Sequence, residues 1–186
     1  MIFRLLNVAT LFAKSNEKAQ FCDHKMEYSG YMNNQSKEKM YIRLEAELRA
    51  LISREDALIS NMSNFTAALQ NRFNFLWTGF YIVEGKELIL GPFQGPVACT
   101  KIPFDKGVCG KAWSNKKTLL VKDVHQFPGH IACSSESKSE IVVPLINKEG
   151  EVLGVLDIDS IDLNYFDGTD QAWLEKIIKW FVSELY

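Results

Sequence analysis

Residues 140–159 read EIVVPLINKEGEVLGVLDID, and this stretch decides the fold. Glu140–Ile146 is a short apolar run rich in β-branched side chains, and so is Glu151–Asp159. Between them, Asn147-Lys148-Glu149-Gly150 is a turn signal. Two strands joined by so short a connection run antiparallel, because a parallel pair needs a crossover of about a dozen residues or more.

Working outward, the same hairpin grammar recurs upstream. Phe75 to Val83 is aromatic and β-branched, Glu84-Gly85-Lys86-Glu87 turns, and Leu88 to Phe93 gives a second strand, ending at Gly91-Pro92. Val97 to Ile102 reads as a third strand, and Thr118 to Val121 as a fourth. Gly107-Val108-Cys109-Gly110 enters a short helix. Asp123 to Ser139, with Pro128, Gly129 and a serine-rich end, has no clean period and reads as a long loop, a place where function concentrates. Helical periodicity brackets these strands. Tyr41, Leu44, Leu48, Leu51, Ile52, Leu58, Ile59, Met62, Phe65 and Leu69 recur at spacings of three and four, as one or two amphipathic helices. Thr169 to Tyr186 closes the chain as a helix, with Asp167 or Thr169 as its cap. The expected class is α+β, a central antiparallel sheet with N- and C-terminal helices packed on one face.

The domain therefore spans residues 39–186, and residues 1–38 form an extension, disordered or loosely docked. Residues 1–14 hold Arg4 and Lys14 and no acid, a weak likeness to a mitochondrial transit peptide. Cytoplasmic location is expected, with mitochondrial import left open by that stretch. No apolar run approaches the roughly 18 residues of a membrane span, so no membrane role is expected. A formal net charge of −2 with interspersed signs gives no basic stripe for nucleic acid. The apolar face of the first helix leaves a homodimer open.

The chemistry-bearing residues are few. Of the cysteines, Cys22 lies in the extension, while Cys99, Cys109 and Cys133 lie in the domain. None forms a C-x-x-C pair, and His24, His125 and His130 do not complete zinc spacing, so redox or nucleophilic chemistry is favoured over metal. Cys109 stands at a helix N-terminus, where a thiol's pKa is expected to fall. Asp157 and Asp159 end a strand two residues apart, so their carboxylates share one face. Glu140 opens the partner strand and lies near them across the turn. Like charges in a partly dry site raise one another's pKa and make a proton donor near neutral pH. The competing role for these oxygens is a Mg²⁺ or Ca²⁺ site. Trp77 and Tyr81 form an aromatic wall on one strand face, as core or as the side of a small-ligand pocket.

Taken together, WTGFY at 77–81, GPFQG at 91–95, Ala98-Cys99, GVCG at 107–110, HIAC at 130–133, SEIVVP at 139–144 and GVLDIDS at 154–160 resemble the free methionine-(R)-sulfoxide reductases, single GAF-domain enzymes. The resemblance covers about residues 40 to 186. It implies reduction of free methionine-R-sulfoxide without metal or organic cofactor. It implies Cys133 as nucleophile, Cys99 as resolving thiol and Cys109 as second candidate for either role. It implies Glu140, Asp157 and Asp159 around the sulfoxide oxygen, Trp77 and Tyr81 around the methyl end, and a dithiol such as thioredoxin as reductant. The alternative is a GAF-type small-ligand or redox sensor module without turnover.

Overall fold

The hairpin that decides the class forms in the computed structural model, which describes residues 34–131 and 133–185. Its strands are β5 (Ser139–Ile146) and β6 (Val152–Ser160), paired antiparallel from Ser139↔Ser160 to Ile146↔Val152. The upstream hairpin is β1 (Trp77–Glu84) and β2 (Glu87–Gln94). With β3 (Lys101–Pro103) and β4 (Leu119–Val121), they build one six-stranded antiparallel sheet in the order β3-β2-β1-β6-β5-β4. The helices are α1 (Asn34–Leu51), α2 (Leu58–Phe73), α3 (Gly107–Asn115) and α4 (Gly168–Leu185). The α+β class is as expected.

Alternation along the strands divides the sheet into two faces. Phe80 of β1, Ile141, Val143 and Leu145 of β5, and Leu156 and Ile158 of β6 point one way and pack against α1, α2 and α4. Phe65 of α2 meets Phe80 and Phe181 edge-on at 5.3 and 5.0 Å, tying helices to sheet through aromatic contacts. The other residues of the same strands, Trp77, Tyr81, Val142 and Val155, face α3 and the loops in a second, smaller cluster. The terminal helices thus cover one face as read, and α3 stands on the other.

The helical stripe from Tyr41 to Leu69 is two helices. Asn61 of α2 forces the break: its amide donates to Ser53 O at 2.7 Å and its carbonyl accepts from Ser53 N, holding a turn between them. The first helix begins at Asn34, inside the stretch read as extension. Its start is fixed by a buried charge cluster. Lys37 Nζ donates to Asp170 Oδ2 at 2.6 Å, Asp167 Oδ2 at 3.0 Å and the Tyr165 carbonyl at 3.1 Å, while Tyr41 Oη donates to Asp170 Oδ1 at 2.9 Å. Asp167 caps α4 by accepting from Thr169 N at 2.7 Å. Cys22 and the transit-like residues 1–14 lie outside the described residues.

Two local expectations are corrected. β2 continues through Gly91-Pro92 to Gln94; Pro92 lies beyond the last β3 pair at Ile89 and in the irregular part of the β1–β2 register, where a proline is tolerated. Val97 to Thr100 is not strand: β3 begins only at Lys101, and Cys99 lies in an irregular segment crossing the end of the sheet. The long loop contains one turn of 3₁₀ helix, Val124–Gln126, capped by the Asp123 carboxylate. Among the described residues, no helix is long and apolar enough to cross a membrane.

Candidate active site

Strand register gathers the carboxylates. Glu140 pairs directly with Asp159, and Asp159 pairs on its other side with Trp77, so these three form one row across β5, β6 and β1. The next row on that face is Val142, Asp157 and Gly79. Gly79 is required there. A Cβ at this position would fall inside the Trp77 indole and against Phe93, so glycine lets the indole lie flat over β1. Trp77 stacks on Tyr81 at 5.8 Å and on Phe93 at 5.5 Å, an aromatic wall beside the acids.

Above this floor stand α3 and two loops. Trp77, Tyr81, Cys109, Cys133, Glu140, Asp157 and Asp159 line one pocket. Cys99 is not among its lining residues, but it joins the pocket covalently. Cys99 and Cys133, 34 residues apart in sequence, form a disulfide with their Cα atoms 5.4 Å apart. The Tyr81 hydroxyl donates to the Cys99 carbonyl at 2.9 Å, fixing that segment to β1. Thus Tyr81 does more than wall the pocket; it holds a redox loop in place. Two further residues enter that residue-type reasoning did not select. His130 brings Nε2 to 3.9 Å from Glu140 Oε2, and Ser137 Oγ donates to Asp159 Oδ1. His130 had a signal, its place in HIAC three residues before Cys133. Ser137 had none among its neighbouring serines.

Burial dominates the electrostatics. It pushes Glu140 well above the usual carboxylate range, reinforced by Asp157 and Asp159. Burial, then Asp159, does the same to Asp157. Burial lifts Asp159 to about 6, although the Ser137 hydroxyl works the other way. The site therefore holds exchangeable protons near neutral pH, on groups aimed at a confined space. Burial also lowers His130, which favours its neutral form.

Cys109 departs from expectation. It is the third residue of α3, at the helix N-terminus as read. Yet it is 3 % exposed, and burial together with Asp157 and Glu140 pushes its thiol well up rather than down. Two nearby carboxyls and dry surroundings outweigh the helix end. Its Sγ lies 3.9 Å from Glu140 Oε1 as a weak donor.

Cys109 Sγ and oxygens of Glu140 and Asp157 lie within 4.8 Å of one another, the group best arranged to hold a cation among the described residues. It differs from the Mg²⁺/Ca²⁺ set read from sequence by carrying sulfur in place of Asp159. All three groups are shifted toward keeping their protons, which suits proton delivery. Asp157 Oδ1 and Trp77 Nε1 are buried without a hydrogen-bond partner among the described residues, an acceptor and a donor for a polar ligand.

The comparisons with known proteins agree with this chemistry. The sequence profile of the GAF domain family matches residues 60–178. The free methionine-R-sulfoxide reductase of Saccharomyces cerevisiae is 43 % identical over 164 residues, covering 84 % of this chain and 91 % of that protein. GAF domain-containing protein A of Dictyostelium discoideum is 54 % identical over 145 residues, covering 77 % of this chain and 91 % of that protein. The solved structure of the Neisseria meningitidis free methionine-R-sulfoxide reductase in complex with its substrate superimposes with a TM-score of 0.75 at 40 % identity, covering 87 % of this chain and 95 % of that one.

Proposed function

This chain belongs to the GAF domain family and to the free methionine-R-sulfoxide reductases within it, and we propose that it reduces free L-methionine (R)-S-oxide to L-methionine at the pocket above β1, β5 and β6. The observation that carries this assignment is the Cys99–Cys133 disulfide on a pocket floored by three buried carboxyls, each shifted toward keeping its proton. A sulfoxide needs both partners: a thiolate for its sulfur and an acid for its oxygen.

In the proposed cycle, the Cys133 thiolate attacks the sulfoxide sulfur while protons pass from the Glu140, Asp157 and Asp159 group to the oxygen. The S–O bond breaks, the oxygen passes to Cys133 as the hydroxyl of a sulfenic acid, and the transient bond between Cys133 and the substrate sulfur breaks to release methionine, reduced by two electrons. Cys99 then attacks the sulfenic sulfur, expels water and closes the Cys99–Cys133 disulfide. A dithiol protein such as thioredoxin reopens it. Cys133 lines the pocket and Cys99 does not, which supports this division of roles. Trp77 and Tyr81 wall the substrate's methyl end, and Asp157 Oδ1 and Trp77 Nε1 offer it polar contacts. Enclosure by the Cys99 and Cys133 loops favours a free amino acid over a residue within a protein. The cytoplasm, where dithiol reductants are kept reduced, suits the cycle. Ile42, Leu51 and Ile59 are exposed on and beside α1 and α2 and support pairing of two copies there.

A small-ligand sensor would bind with all three cysteines replaced, and a redox sensor would open and close the disulfide without turning over a sulfoxide. A coupled assay with thioredoxin, thioredoxin reductase and NADPH decides the matter. NADPH is consumed with free methionine-R-sulfoxide, and not with the S epimer or a peptide-bound sulfoxide. Absence of turnover from pre-reduced protein would sink the assignment.

A further inference from the structure

The pocket has acids without a countercharge. Glu140, Asp157 and Asp159 line it beside the Cys109 thiol, and among the described residues no lysine or arginine does. Elsewhere the fold pairs its buried acid: Asp170 meets Lys37 Nζ at 2.6 Å. Buried carboxylates are ordinarily paired with a cation or bound to a metal. Asp157 points to such a ligand by itself. It is 7 % exposed, and its Oδ1 has no hydrogen-bond partner among the described residues. Strand register explains why: its neighbours across the sheet are Val142 and Gly79, which offer no polar side chain.

The donors stand where a metal ion needs them. Cys109 Sγ, a Glu140 oxygen and an Asp157 oxygen lie within 4.8 Å of one another, and Sγ is 3.9 Å from Glu140 Oε1. Sulfur and oxygen ligands around a tetrahedral Zn²⁺ stand about 3.5 Å apart, so side-chain movements of about 1 Å close the set. His130 Nε2, 3.9 Å from Glu140 Oε2, is the fourth donor in reach. The donor types name the ion. A thiolate with carboxylates and an imidazole suits Zn²⁺, whereas Mg²⁺ and Ca²⁺ prefer oxygen alone. Cys109 stays free while Cys99 and Cys133 are paired, so the set is present in the oxidised protein.

We propose that Cys109, Glu140, Asp157 and His130 form a Zn²⁺ site inside the substrate pocket, and that the ion and the sulfoxide exclude each other. The ion bonds to Cys109 Sγ and the two carboxylates, and the protons they held pass to solvent. No electron moves, so a chelator reverses the step. The bound ion takes the acids that would serve the sulfoxide oxygen, and it gives Cys109 a use that the reduction cycle does not. The exclusion rests on the reductase reading above; the metal site does not.

Cobalt reports the site, because a bond between Co²⁺ and a thiolate absorbs in the near ultraviolet. The full-length protein carries Cys22→Ser, which removes the other thiol outside the disulfide, and is oxidised before titration. One equivalent of Co²⁺ should bind with the charge-transfer band of a single thiolate, and Zn²⁺ should displace it. Cys109→Ser should abolish the band. Asp157→Asn, nearly the same shape, should weaken binding roughly tenfold or more. Thermal melting checks that each variant is folded, and if Cys109→Ser is not, Asp157→Asn decides alone. No band in the parent, a band that survives in Cys109→Ser, or unchanged affinity in Asp157→Asn overturns the site. Exclusion is read in a single turnover: pre-reduced protein freed of reductant meets Zn²⁺, then free methionine-R-sulfoxide, and methionine is counted. Zn²⁺ should suppress methionine formation and a chelator should restore it. The half-inhibiting Zn²⁺ concentration should rise roughly tenfold in Cys109→Ser. Equal inhibition of that variant would place the ion on Cys99 and Cys133 and overturn the exclusion. Protein that binds Co²⁺ yet forms no methionine without Zn²⁺ would sink the reductase reading and leave the metal site standing.

Discussion

Leu156 and Asp157 are neighbours in β6 and belong to different worlds. Leu156 is fully buried on the face covered by α1, α2 and α4, among phenylalanines and aliphatic side chains. Asp157 is 7 % exposed on the opposite face, between Val142 and Gly79, with one oxygen unpartnered. The first face gains from every apolar atom removed from water. The second has a smaller apolar cluster, offset by the cost of drying three acids and a thiol, each shifted by burial. One set of strands serves both purposes because its period is two. The helix-covered face supplies the stability that allows the other to be dry and unsatisfied.

Substitutions on each face sharpen or break that contrast. The largest effect is expected from Cys133→Ser, which should lower turnover by about a thousandfold or more, roughly 4 kcal/mol of barrier, with the melting temperature of the reduced protein little changed. Full activity in this variant would move the nucleophile to Cys109. Leu156→Ala should destabilise by about 3 kcal/mol in urea unfolding, while turnover per folded molecule stays close to wild type. Its neighbour should do the reverse: Asp157→Asn should cost roughly a hundredfold in kcat and leave stability equal or higher, since a buried acid is removed. If both variants lost stability alike, the division of the sheet would fail.

The fourth prediction concerns pH. Asp159 rises from 3.8 to about 6 on folding, mainly through burial. Below the lower value both states hold the proton. Between the two, the unfolded chain has released it while the folded chain keeps it, so stability falls as pH rises toward 6, by up to about 3 kcal/mol, and is flat above. Asp159→Asn should remove that part of the slope in unfolding measured from pH 4 to 7. An unchanged slope would mean that Asp159 is not held in a dry site. The smallest effect is expected at Cys109. Cys109→Ala should change turnover by less than about threefold, because a raised thiol is a poor nucleophile. A larger loss would restore Cys109 as a rival to Cys133.

Much of the helix-covered face was legible in sequence, since alternation in EIVVPLI and EVLGVLDID and three-four spacing in the helices report burial directly. Strand period also placed Asp157 and Asp159 together, and the short turn brought Glu140 to them. What escaped depends on partners far away in the chain. Cys99 sits among residues with strand-like neighbours, but the Tyr81 hydroxyl and Cys133 draw it over the pocket, off the β3 edge. Cys109 was read from its local helix end, whereas its surroundings come from β5 and β6. Ser137 is one serine among several until register sets Asp159 beside it. The first helix starts early because Lys37 finds an acid in α4, a contact no local pattern encodes.

That lysine sets a limit on how the chain can be trimmed. Asp170 is completely buried, and among the described residues its one cationic hydrogen-bond donor is Lys37. A start at Met26, or cleavage anywhere before residue 34, keeps the pair. A start at Met40 would leave a buried carboxylate without its cation, at a cost of roughly 3–5 kcal/mol, comparable to the whole stability of many small domains. A form of this protein trimmed past residue 37 is therefore expected to unfold more easily, for want of a single ammonium group.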